Sequence, residues 1–89
     1  MRIRYSRGFV KNFKVCIKPY PKLHERFDQR VKLFIKNPSS PVLKDHRLIG
    51  RLRSFRAFSV TGDIKVVYSR ETKDKVVFID IGTYNQEYS

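Results

Sequence analysis

Acidic residues are scarce in this 89-residue chain: eight Asp and Glu stand against twenty Lys and Arg, a formal net charge of +12. Solubility alone does not require so much, since a surface charge of about 2–8 suffices for a small domain. A polyanionic partner is therefore expected, whether nucleic acid, an acidic protein or an acidic membrane surface. Cysteine is almost missing. Cys16 stands alone, which excludes an internal disulfide and a multi-cysteine metal site. No metal and no cofactor is expected. Long apolar runs are missing too: the longest, such as Val76-Val77-Phe78-Ile79, fall far short of the ~20 residues that span a bilayer. The start, Met1-Arg2-Ile3-Arg4-Tyr5, alternates instead of running apolar as a signal peptide does. An intracellular, cytoplasmic protein is expected, with no membrane partner, because cations also occupy strand-like segments where a basic membrane-surface helix has none.

What the chain does have can fold. Forty per cent of its residues are hydrophobic, with seven Phe and five Tyr, which argues against disorder. The length suits a single domain over residues 1–89, in which a little over ~60% of the unfolded surface becomes buried.

Periodicity supplies the elements. Arg2 to Tyr5 alternates and reads as a strand. Ser6 can cap a helix with apolar positions Phe9, Val10, Phe13 and Ile17, which Pro19 stops. A second helix starts near Pro21 and carries Leu23, Phe27, Val31, Phe34 and Ile35 until Asn37-Pro38. A breaker-rich connection then runs to about Gly50, a length that is often functional. Three strands follow, at about 52–60, 64–69 and 75–81, joined by hairpin-length turns. Ile64, Val66 and Tyr68 should face the core, with Asp63, Lys65, Val67 and Ser69 on the other side. The order β-α-α-β-β-β implies an α+β fold, an antiparallel sheet with a helical hairpin on one face.

This order on a strongly basic chain resembles the RelE/ParE superfamily of bacterial and archaeal toxins. The run Leu43-Lys44-Asp45-His46-Arg47-Leu48-Ile49-Gly50 is similar to the YafQ-like branch. So are Phe55-Arg56, Asp63-Ile64-Lys65-Val66-Val67-Tyr68 and Ile81-Gly82-Thr83-Tyr84-Asn85-Gln86-Glu87-Tyr88. The resemblance implies the toxin of a type II toxin-antitoxin pair, held inactive by a cognate acidic antitoxin and acting with the ribosome on mRNA. Its chemistry would be metal-independent transesterification: a base takes the 2′-hydroxyl proton, the oxygen attacks the adjacent phosphate, and cations stabilise the phosphorane. The antitoxin complex could also bind operator DNA.

Carried over by position, His46, Asp63 and Tyr84 are the catalytic candidates. Ser59 and Tyr84 stand where YafQ-like toxins have histidines, and Lys65 stands where many RelE-like relatives have an arginine. Lys44, Arg47, Arg51, Arg53, Arg56 and Lys65 are expected to bind phosphate, and Tyr88 to stack on a base. An imidazole suits a base because it titrates near physiological pH. Eight acids cannot pair with twenty cations, so Arg53, Arg56 and Lys65 are expected to meet phosphate, not carboxylate. Asp63 equally suits a hairpin turn. His24, Tyr68 and Cys16 read as structural. Two other functions remain open: a ParE-like inhibitor of DNA gyrase, and a catalytically degenerate member that only binds its antitoxin.

Overall fold

A computed structural model describes residues 1–83. Tyr84 and Tyr88 lie outside the described residues. The chain forms β1 (Arg2–Tyr5), α1 (Arg7–Cys16), α2 (Pro21–Lys36), β2 (His46–Arg47), β3 (Arg56–Ser59), β4 (Ile64–Thr72) and β5 (Lys75–Thr83). The strands make one sheet in the order β1-β5-β4-β3-β2. β1 runs parallel to β5 and every other neighbour is antiparallel, so the sheet is mixed, not antiparallel throughout as expected. The crossover from β1 through both helices is what makes that parallel pairing available.

Local chemistry explains the helices. Ser6 accepts the Phe9 amide at 3.0 Å and donates its own hydroxyl proton to the Ile79 carbonyl at 2.6 Å, so one side chain caps α1 and ties it to β5. Pro21 at the start of α2 lacks an amide proton that would have had no helical partner. The inner faces of both helices cover one side of the sheet. Phe9, Ile17, Phe27 and Phe34 pack there with Phe58, Val66, Tyr68, Val76, Phe78 and Ile81. Phe34 is the hub: its ring lies 4.8 Å from Phe58 and 4.9 Å from Tyr68.

The opposite face carries a smaller cluster of Leu48, Ala57 and Val67, flanked by Leu52, Phe55 and Ile79. Val67 is thus buried where sequence alternation placed it on the surface. A shift of register between Val67 and Tyr68 leaves Ile79 as the extra residue on β5. The connection from 37 to 50 is also more structured than expected. Pro41–Leu43 forms a 3-10 turn, β2 follows it, and Leu43 and Leu48 are fully buried, anchoring the segment at two points. The expected strand from 52 shortens to Arg56–Ser59, because Gly50 at φ +68° opens a second 3-10 turn over Gly50–Leu52.

Candidate active site and nucleic-acid interface

Strand register decides which side chains share a face. His46 lies opposite Ala57, Ala57 opposite Val67, and Val67 opposite Asp80. His46, Ala57 and Val67 belong to the face away from the helices. Two residues further along β3, a second row on that face joins Ser59, Lys65 and Gly82. Among the described residues, a Cβ built at Gly82 meets no atom within 4 Å. The open face therefore brings His46 and Lys65 to one surface, with Ser59 between their strands.

His46 is held by the segment that leads into it. Lys44 adopts a left-handed conformation, φ 50° and ψ 38°, unusual for a residue with a Cβ and associated with functional loops. The Lys44 carbonyl then lies 3.0 Å from His46 Nδ1. A carbonyl only accepts, so Nδ1 is the donor in this contact, which fixes the orientation of the ring. Asp45, between them, fixes the loop: Oδ1 accepts Arg56 Nε at 2.6 Å and Oδ2 accepts the Tyr68 hydroxyl. Its side chain is only 9% exposed. Burial, then the hydrogen bond to Asp45, pushes the Tyr68 phenol well above its ordinary pKa. Burial opposes the charge on Arg56, but the hydrogen bond and attraction to Asp45 outweigh it and raise its pKa.

The other expected residues divide. Arg56 is a correction, since it pairs with a carboxylate after all; its row, Arg47–Arg56–Tyr68, faces away from His46. Asp63 occupies the exposed β3–β4 turn, where its amide donates to Thr61 Oγ1 at 3.2 Å. About four residues of strand, roughly 13 Å, separate it from the His46 row. Lys44, Arg51 and Arg53 are exposed on the connection. Arg47, Arg53, Ser54, Arg56 and Arg70 together line a recess of about 410 Å³.

Two features escaped the sequence reading. Asp80 is in register with Val67, but its carboxylate turns to α1, accepting Asn12 Nδ2 at 2.6 Å, and also accepts the Ile81 amide at 2.8 Å. Ser59 is 7% exposed. A buried hydroxyl beside a half-buried lysine is a ready donor to an anion seated on the face. Asp80 has no motif to announce it; Ser59 was marked by its place in the family pattern, but its burial was not. Of the residues read as structural, Tyr68 lies in the core, Cys16 packs against it, and His24 lies 3.2 Å from Asp28 one turn on. Among the described residues, no group of three or more His, Cys, Asp or Glu could hold a metal, and no helix is long and apolar enough to cross a membrane.

No protein-family model and no curated protein matches the sequence. Solved structures do. A histidine-to-glutamine mutant of YafQ from E. coli is 30% identical, with 92% of this chain and 91% of that one covered and a TM-score of 0.76. YafQ in the E. coli DinJ-YafQ complex is 28% identical over the same shares, at a TM-score of 0.75. The YoeB/ParE toxin from Agrobacterium tumefaciens shares the fold, with a TM-score of 0.79 at 12% identity over 96% of this chain and 100% of that one.

Proposed function

The chain belongs to the RelE/ParE toxin superfamily, in its YafQ-like branch, and from that premise we propose that it is a single-domain, ribosome-dependent mRNA endoribonuclease restrained by a cognate antitoxin. The observation that carries the reading is the His46 ring. Its Nδ1 donates to the Lys44 carbonyl, which orients the ring, and we assign Nε2 to proton transfer on a face that also carries Lys65.

In this mechanism His46 Nε2 takes the 2′-hydroxyl proton, and the freed oxygen attacks the adjacent phosphorus. Lys65, with the Ser59 hydroxyl, stabilises the extra negative charge of the phosphorane. The 5′ oxygen leaves with a proton taken from water, the resulting hydroxide is neutralised by the proton His46 releases, and the product ends in a 2′,3′-cyclic phosphate. Asp63 lies too far along the sheet for a direct bond to His46 and acts on the RNA as it leaves the site. The antitoxin is an acidic protein that orders on binding and covers the basic surface. Solved structures of related toxins include the DinJ-YafQ and YoeB-YefM toxin-antitoxin complexes.

Expression without an antitoxin tests this. It is expected to arrest growth and to yield primer-extension stops within translated messages. His46→Ala is expected to lower cleavage about a hundredfold or more, and stops of undiminished intensity would remove His46 from the mechanism. One observation favours the degenerate reading: Ser59, at a position where YafQ-like toxins have histidine, carries no titrating group near neutral pH. Harmless accumulation of the free protein would establish that reading. A DNA-break response in place of message cleavage would establish gyrase inhibition.

A further inference from the structure

The recess lined by Arg47, Arg53, Ser54, Arg56 and Arg70 lies on the other side of β2 from His46. We propose that it binds a phosphodiester of the same RNA strand, one that flanks the phosphate at His46, with the strand crossing the edge of the sheet at β2. The proposal rests on the RNA reading above and adds a second contact on a different face.

Three observations carry it. The first is uncompensated charge: Asp45 takes Arg56, while Arg47, Arg53 and Arg70 form no ion pair among the described residues. The second is preorganisation. Arg56 is fixed by Asp45, and Arg70 stands 5.9 Å from the centroid of the Phe34 ring while donating to the Lys73 carbonyl at 3.1 Å. Held guanidiniums present their planar forks to a phosphate at little entropic cost. The third is position. β2 is two residues long, and among the described residues it is the edge strand with no further strand beyond it. His46 and Arg47 are consecutive and project to opposite faces. A strand passing over this edge meets the imidazole on one side and the arginines on the other. Guanidiniums and one serine line the recess without an apolar anchor, which favours a phosphate backbone over a docked peptide side chain.

The test measures anisotropy of a short, labelled, fully 2′-O-methylated single-stranded RNA across a salt series. This RNA cannot be cut, so binding is read independently of cleavage, and failure of the nuclease reading would leave the readout intact. Arg53→Gln/Arg70→Gln is compared with the charge-matched Lys11→Gln/Lys14→Gln on α1. The recess variant is expected to bind on the order of tenfold more weakly and to flatten the slope of log K against log salt by about 1.4, the value for two lost phosphate contacts. The α1 variant is expected to change both by clearly less. Arg47→Gln, expected to flatten the slope by about 0.7, repeats the comparison should the double variant melt early. Equal losses in the two double variants would overturn the proposal, because charge would then act diffusely. So would unchanged RNA affinity with lost binding of a polyglutamate peptide, which would assign the recess to an acidic protein.

Discussion

At Asp45 one carboxylate oxygen takes the Arg56 guanidinium and the other takes the Tyr68 phenol. A nearly buried carboxylate satisfied on both sides is costly to disturb, because each partner loses its acceptor. Asp45→Ala is expected to destabilise by about 2–3 kcal/mol, the half-open position of Arg56 keeping the cost below that of a fully buried pair. For a chain of this size that lowers the melting temperature by roughly 10 °C or more, readable by calorimetry. Loss of RNA cleavage beyond the fraction unfolded would show that Asp45 also positions His46. Tyr68 adds a pH dependence. Burial, then the Asp45 hydrogen bond, raises its phenol above the ordinary value near 10, so the fold retains a proton that the unfolded chain releases. That stability is complete below pH 10 and declines above it. Tyr68→Phe is expected to melt lower at neutral pH and to lose less on going from pH 9 to 11; parallel melting curves would contradict the assignment. Asp45 itself was visible in the sequence only as a member of the 43–50 run, because nothing in a linear run shows that Arg56 and Tyr68 arrive on its two sides.

Among the elements, Ser6 and β2 mark the limits of what could be read from the chain. Ser6 before an apolar stripe at spacings of three and four is a local signal, and the cap formed as expected. Ser6→Ala removes both that cap and the bond to Ile79, and is expected to cost about 1–2 kcal/mol. A melting temperature within a degree of the parent would show that the cap contributes little. β2 had no comparable signal. Two residues cannot display an alternation, and their pairing with β3 depends on burial of Leu43 and Leu48 on either side. The parallel pairing of β1 with β5 and the extra residue Ile79 are non-local for the same reason. The helices and the three long strands, whose periodicity is internal, were legible. The placement of His46 and Lys65 on one face was half legible: alternation in β4 assigned Lys65, but only the β2–β3 register adds His46.

For the whole molecule, the +12 charge is distributed over a sheet with one helix-covered face and one open face. Resemblance to a toxin family named His46 as the base; the fold adds the Nδ1 contact with the Lys44 carbonyl and places Lys65 on the same face. The central claim is 2′-hydroxyl transesterification driven by His46. It is tested most directly by the end groups made when the purified chain, and its His46→Ala variant, act on message bound to ribosomes. A 2′,3′-cyclic phosphate at the cut end, formed about a hundredfold or more slowly by the variant, is the expected result. Equal rates for the two proteins, or cut ends bearing a 3′-hydroxyl, would contradict the account.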